Sequence, residues 1–447
     1  MSVSIQEEDK TFRDPIHDFI DVNGHEVNII QDPIFQRLRR IKQLSFGYYV
    51  YHGADHSRFG HSIGTMHIAT QMLKAIEKNT QKYDPKFTIT PDDYKTIRLA
   101  ALLHDVGHKP FSHAIHNAIP EKHEKYSIHL IRNHFKQDIE HGGIDPEAVI
   151  SLIEGTSDPR KAFLQYLIDG QLDADKLDYL LRDSHYAGVK YGHYDLPRLL
   201  DTLCVYNNKL AVLIDGSYAA TQLVFARHFM FEQVYLHKTK RAFEGMADLI
   251  ASHLLENHSF QYPRVKDLTK KGKIEKFANY HDNWFLETIL NTRDRNFRKI
   301  ANQIVNRQNY KEVYSSDQIR RKFLKQKHKD ASEQTATGFL QALEIDIKEK
   351  LPSLGINKWE IIFDDYRYLP YQLRPYSLPL PHEESEEART IYTYDKENDF
   401  PEAIETAHPM IEAFAKNPPR IKRVFVERDK ESALKEFLKK KYKEYFC

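Results

Sequence analysis

The chain has almost no cysteine: Cys204 and Cys447 are the only two among 447 residues. A disulfide framework is therefore excluded, and a reducing compartment fits. It also lacks a long apolar run. None approaches the ~20 residues that a membrane helix needs, and residues 1–10 are polar and acidic, without the apolar segment of a secretory leader. Net charge is nearly absent as well. With 65 basic and 64 acidic residues the total is +1, so the molecule as a whole has no strong field toward nucleic acid. No internal repeat is visible. These absences predict a soluble, cytoplasmic protein with no membrane partner. Its length allows one large core or two to three units.

Histidine is plentiful: 24 in all, eleven of them between His52 and His134. The chain is organised around Leu99-Ala-Ala-Leu-Leu-His104-Asp105-Val-Gly-His108-Lys-Pro110-Phe-Ser-His113. Residues 97–103, Arg98 aside, are apolar and read as a buried helix rich in Ala and Leu. Gly107 and Pro110 read as its stop signals. His104 and Asp105 then fall on the last turn of a core helix, where an unpaired charge is expensive. Taken alone, such a pair is compatible with a capped, hydrogen-bonded helix end. Two further stretches add candidate ligands for a divalent ion: Arg58-Phe-Gly-His61-Ser, and Asp173-Ala-Asp175-Lys176-Leu-Asp178-Tyr179. His61, His104, Asp105 and Asp175 make a two-His, two-Asp set, whose ligand types admit Fe, Mn, Ni, Zn or Mg.

With these stretches in view the chain resembles the HD-domain phosphohydrolases, and among them the deoxynucleoside triphosphate triphosphohydrolases. Asp14-Pro-Ile-His17 and Phe35-Gln36-Arg37-Leu38-Arg39-Arg-Ile-Lys-Gln43-Leu44 carry the likeness further, over roughly residues 11 to 250. The resemblance implies a helical HD core and hydrolysis of a dNTP to deoxynucleoside and inorganic triphosphate. It implies one tightly held divalent transition metal (Mn, Fe, Ni or Zn) on the four ligands, with Mg on the substrate triphosphate. By the same resemblance Arg58, Lys176 and Arg227 contact phosphates, and His108 and His113 line the phosphate pocket. His123, with Glu124 beside it, protonates the leaving ribose oxygen. Gln43 and Asp183 bind the 3′-hydroxyl, Tyr179 packs under the sugar, and Tyr235 lies in the same pocket. The family carries a carboxylate three residues after the position of His113, and here that residue is His116. By the resemblance, relatives form homo-oligomers, commonly tetramers, and several are activated by a nucleotide bound between subunits. Gln36 and Arg39 match positions that contact it, whereas Gln31 replaces an aspartate that reads guanine.

Two other readings stay open. One is a different HD phosphohydrolase reaction, on a nucleotide monophosphate or a cyclic nucleotide. The other is a weakly catalytic regulator that binds nucleotides or nucleic acid, suggested by basic stretches near Arg320 and Lys439.

The expected architecture is mainly α, with a short β-hairpin and a small α+β C-terminal lobe. Its divisions are a tail (1–10), a catalytic core (11–257), a helical extension (258–345) and the lobe (346–447). The clearest hairpin pairs two β-rich runs around Asn207-Asn208. Asp32-Pro33 predicts a helix start, with Arg37, Arg39, Arg40 and Lys42 as a basic face, solvated by spacing alone and near a bound nucleotide by the resemblance. Residues 218–255 read as one long helical pattern, and residues 369–388, Pro-rich and then acidic, as an irregular excursion.

Overall fold

The computed structural model describes residues 8–119, 121–156, 162–257, 261–270, 272–326, 333–367, 390–416 and 420–446, the side chains of 112–113, 324–326, 333–337, 367 and 415–416 excepted. The expected excursion at 369–388 lies outside the described residues.

Helices dominate, as expected of a mainly α chain. The central one, Arg58–Thr80, has 23 residues and is buried along most of its length. It packs on Pro91–Leu103, whose start is set by a capping box between Thr90 and Asp93 and by Pro91 in the first turn. This helix ends at Leu103. His104 is its C-cap, with helical backbone and an N–H bond to Ala100 O as expected of the last turn, whereas Asp105 lies in the turn that follows. Gly107 is needed there for a reason other than a helix stop. A Cβ on it would stand 2.3 Å from Ser127 N and 2.6 Å from His123 O, so only glycine lets the helix His123–Asn133 approach the turn this closely.

The strands form three small sheets. β1 (Lys10–Asp14) pairs antiparallel with β2 (Asp18–Val22). β3 (Leu203–Tyr206) and β4 (Lys209–Leu213) form the predicted hairpin. Asn207 and Asn208 both take positive φ, 48° and 61°, as the tightest hairpin turn requires. Further on come β5 (Lys311–Ser315), β6 (Ile361–Arg367), β7 (Tyr392–Asp395), β8 (Phe400–Ala403) and β9 (Arg420–Val426). β7 joins β4 in parallel and continues the hairpin as a four-stranded sheet, β3-β4-β7-β8, while β5-β9-β6 form the third sheet.

One apolar core runs from Ile20 to Ile304 and takes in Ile362, Ile391, Ile404, Ile411 and Phe425. A second gathers Val313, Phe323, Leu343, Val424 and Leu438 around the third sheet. That sheet draws its strand β5 from before residue 346, and the boundary expected there falls inside the helix Glu333–Lys350.

Two local readings are corrected. The long pattern over 218–255 is two helices, Ser217–Met230 and Lys238–Glu256, broken by a π-helical turn at Phe231–Tyr235. The basic face at 37–42 is not simply solvated. Arg37 is fully buried, donates to Tyr280 O (2.7 Å) and Val106 O (2.9 Å), and lies over the Phe277 ring. Its carbonyl partners come from distant segments, which is why helical spacing alone assigned it to the surface.

Candidate functional site

His61 lies one turn into the Arg58–Thr80 helix, His104 and Asp105 in the turn after Pro91–Leu103, and Asp175 in the first turn of Ala174–Ala187. Ligand atoms of His61, His104 and Asp105 lie within 4.8 Å of one another. Asp175 Oδ1 is 2.9 Å from His61 Nε2 and 3.7 Å from His104 Nε2. The sequence-predicted ligands thus meet in one place.

The other ring nitrogens decide what these imidazoles offer. His104 Nδ1 donates to Ala101 O at 2.7 Å, and His61 Nδ1 donates to Asp178 Oδ2 at 2.8 Å. Both Nε2 atoms are buried and make no well-angled hydrogen bond. Orphaned buried nitrogens facing two carboxylates fit a divalent cation, and the anchored Nδ1 atoms are the usual support for metal-bound histidine. His61, His104, Asp105 and Asp175 could hold one ion.

The electrostatics agree. Burial works against a proton on His61, but Asp175 and Asp178 outweigh it and raise its pKa to about 10. His104 is raised too, since Asp105 and Asp175 outweigh its burial. Asp105, although buried, is held well below the usual carboxylate range by Arg58, His104 and His108. Asp175 is lowered by the two imidazoles against the effect of burial. Such a pocket favours positive charge, and a cation competes with protons for the same lone pairs.

Behind His61 lies a layer that sequence reasoning did not assign. Asp178 accepts from His17 Nε2 (2.6 Å), His61 Nδ1, Arg182 Nε (2.8 Å) and Arg182 Nη2 (2.8 Å). Arg182 also holds Asp14, at 2.9 Å from Nη1. Gly64 makes room for them, because a Cβ there would stand 2.0 Å from Asp178 Oδ1. The stretch Asp14-Pro-Ile-His17 therefore belongs to the support of His61. Position was the available signal: Asp178 is three residues after Asp175 and shares its helix face.

The remaining predicted residues surround the cluster. Arg58 pairs with Asp105, and Lys176 with Asp173. His123 Nε2 is 3.3 Å from Asp105 Oδ1, its Nδ1 is 3.4 Å from Glu124 Oε2, and its ring stacks on His108 at 4.2 Å. Tyr179 stands 6.4 Å from the His61 ring and 6.1 Å from the Tyr235 ring. Tyr235 OH donates to Asp183 Oδ2 at 2.8 Å, while His56 Nε2 donates to Oδ1 at 2.8 Å. Gln43 is tied to His56 by its backbone N–H (3.0 Å to His56 O), and its buried Oε1 has no hydrogen-bond partner. Arg227 approaches Gln171 at 3.4 Å. The side chain of His113 lies outside the description. Gln36 and Arg39 make a pair of their own, 2.9 Å apart, with Arg39 exposed and over the Phe59 ring. His116 is exposed and lies in a groove of about 790 Å³ beside Asp248. No described helix is long and apolar enough to cross a membrane.

Comparison with known proteins places this geometry. Residues 58–183 match the HD domain, and residues 194–349 match the HD associated region. YwfO of Bacillus subtilis, an uncharacterized protein, is 34% identical over 281 residues, 61% of this chain and 60% of its own length. A Dictyostelium discoideum protein named deoxynucleoside triphosphate triphosphohydrolase SAMHD1 homolog is 33% identical over 71% of this chain and 63% of its own length. The chain thus spans about 60% of such curated relatives. A solved hypothetical protein from Aquifex aeolicus superposes with a TM-score of 0.73 at 25% identity, covering 96% of this chain and 100% of that one. Motifs, fold and matched regions together give this chain an HD domain followed by its HD associated region, and make it similar over most of its length to proteins named deoxynucleoside triphosphate triphosphohydrolase.

Proposed function

We propose that the chain hydrolyses deoxynucleoside triphosphates to deoxynucleoside and inorganic triphosphate. The observation that carries this reading is the span from the His61, His104, Asp105, Asp175 cluster through Tyr179 to Asp183 and Tyr235. A cation-seeking pocket stands next to one with hydroxyl-binding capacity, as a nucleotide bound through phosphate and sugar requires. The name of the Dictyostelium relative supports the substrate class.

A divalent ion on the four ligands would supply Lewis acidity and a bound water of lowered pKa. The protein's own groups do the rest. Arg58 and Lys176 are balanced by Asp105 and Asp173 in the free protein and are placed to share their charge with phosphate oxygens. Arg227 serves the same chain of phosphates. His123 acts as general acid toward the leaving ribose oxygen. Glu124, at its Nδ1, takes over the orienting role of the carboxylate that His116 replaces. Gln43 and Asp183 receive the 3′-hydroxyl, and Tyr179 underlies the sugar.

The regulatory reading is kept in the same form. Gln36 and Arg39 offer an amide and a guanidinium for a nucleotide phosphate. Exposed Tyr218 (74%), Met410 (61%) and Phe229 (45%) are apolar surface of the kind that homo-oligomers cover. With Gln31 in place of the guanine-reading aspartate, GTP is not required for activation.

One observation favours a second reading, a phosphomonoesterase or cyclic-nucleotide phosphodiesterase. Asp105, His108 and His123 form another group whose ligand atoms lie within 4.8 Å, so a second ion has a place beside the first. A panel of dNTPs, nucleoside monophosphates and cyclic nucleotides with Mn²⁺ and Mg²⁺ separates the two. Inorganic triphosphate as product supports the first, and orthophosphate or a linear monophosphate in its place supports the second.

A further inference from the structure

Asp282 lies far outside the HD domain match, in the HD associated region, at the start of the helix Asp282–Leu290. It is buried, at 3% exposure. Neither carboxylate oxygen serves its own helix. Oδ1 accepts the N–H of Phe111 at 2.6 Å, and Oδ2 accepts the N–H of Lys42 at 2.8 Å. Phe111 is three residues after His108, and Lys42 is next to Gln43. One carboxylate therefore joins the loop of the phosphate wall to the loop of the sugar wall.

Both loops have reason to need the tie. Phe111 holds a left-handed backbone, φ 50°, which a bulky side chain adopts only when its surroundings enforce it. The Phe111 ring stacks on Phe46 at 4.2 Å and meets Phe285, of the Asp282 helix, edge-on at 5.6 Å. On the other side, Lys42 bridges to Ser57, and Gln43 N–H reaches His56 O. Gln43 is thereby set beside the partner of Asp183. The segment before Asp282 is held by the same turn: Arg37 bonds Tyr280 O, and Arg40 bonds Ala278 O at 2.9 Å.

We propose that Asp282 is a positioning residue for substrate binding, fixing the spacing between the Gln43 loop and the His108-to-Phe111 loop without touching the substrate. The inference rests on the proposed dNTP reading for its kinetic consequence, but not for its structural one.

The test uses the full chain with Asp282→Ala, which removes both acceptors, and Asp282→Asn, which keeps one. KM for a dNTP rises about tenfold in Asp282→Ala, the scale of one buried hydrogen bond, and less in Asp282→Asn. kcat changes less than KM. Preference for a dNTP over its 3′-deoxy analogue narrows, and metal content is unchanged. Hydrogen exchange rises in peptides spanning 41–46 and 108–113 in both variants. Should Asp282→Ala fail to fold, Asp282→Asn carries the same readouts. Unchanged KM, unchanged 3′-hydroxyl preference and unchanged exchange overturn the proposal, as does a fall in kcat alone. If the wild type hydrolyses no dNTP, the functional reading fails by itself. The exchange measurement then decides: faster exchange in both loops supports the tie, and wild-type exchange refutes it.

Discussion

Asp178 and Asp183 are five residues apart on one buried helix, yet their carboxylates are used in opposite ways. Asp178 receives four donors, from His17, His61 and two nitrogens of Arg182. A carboxylate has about four acceptor sites, so Asp178 is saturated. Asp183 receives two, from His56 and Tyr235, and keeps about half of its capacity. Burial makes unused capacity costly. A saturated buried carboxylate is a fixed part of the framework, and a half-filled one suits a ligand. On the proposed reading, the wall behind the candidate metal ligands is complete before anything binds, whereas the wall at Asp183 keeps acceptor capacity for a hydroxyl.

The largest effect should come from breaking the saturated side. Asp178→Ala leaves Arg182, His17 and His61 without their common anion. Removing one partner of a buried ion pair costs about 3–5 kcal/mol, and loss of a metal-supporting carboxylate lowers metal affinity about 10- to 100-fold. Denaturant unfolding and metal analysis of the purified variant measure both. Unfolding at the wild-type midpoint would remove the distinction between the two aspartates.

The half-filled side should respond differently. Asp183→Asn keeps the shape and an acceptor, so metal content and stability stay near wild type. Catalytic efficiency on a dNTP falls by about 10- to 100-fold, the range for a hydrogen bond to a charged group. A 3′-deoxy analogue, which lacks the hydroxyl, loses much less. Equal losses for both substrates would place the hydroxyl elsewhere.

Proton linkage sharpens the comparison next. The folded-state pKa of His61, about 10, lies above its unfolded value of ~6.5. Its proton therefore stabilises the metal-free protein fully below pH ~6.5, and that contribution is lost as pH rises toward 10. Metal must displace the same proton. Binding of Mn²⁺ then releases protons and tightens as pH rises through this interval. Calorimetry in buffers of different ionisation enthalpy checks the proton count, and release of no proton near pH 7 contradicts the arrangement.

How much of this could be read from residues alone follows from how far apart the partners stand in the chain. The four candidate ligands lie in short motifs, and the hairpin turn announces itself in Asn207 and Asn208. Asp178 was within reach, because i and i+3 share a helix face. Asp282 was not. Its partners Lys42 and Phe111 are 240 and 171 residues away, and an aspartate opening a helix is an ordinary sight. Arg37 misled for the same reason, since Tyr280 and Phe277, more than 200 residues on, make its burial possible. The parallel pairing of β7 with β4 likewise joins segments 181 residues apart, as Ala211 opposite Tyr392 shows. Periodicity reports a local face, and long-range partners decide what covers it.

The smallest effect concerns His116, the departure from the family's carboxylate. His123 already has a carboxylate near each ring nitrogen, Glu124 at 3.4 Å and Asp105 at 3.3 Å. His116 instead shares a groove with Asp248, whose carboxylate accepts from the backbone of Asn117 and Ala118 and from the Asn117 amide. Restoring the family residue with His116→Asp sets a second anion beside Asp248. The expected result is a change in turnover below about threefold, with stability lowered by a fraction of a kcal/mol, as for other exposed like-charge neighbours. Glu124→Gln should cost more, about tenfold in kcat, because it replaces the carboxylate oxygen that faces His123 Nδ1 and orients its ring. Neither variant should alter metal content. The two substitutions measured side by side under saturating dNTP decide the assignment. A large gain from His116→Asp, with Glu124→Gln near wild type, would return the orienting role to position 116.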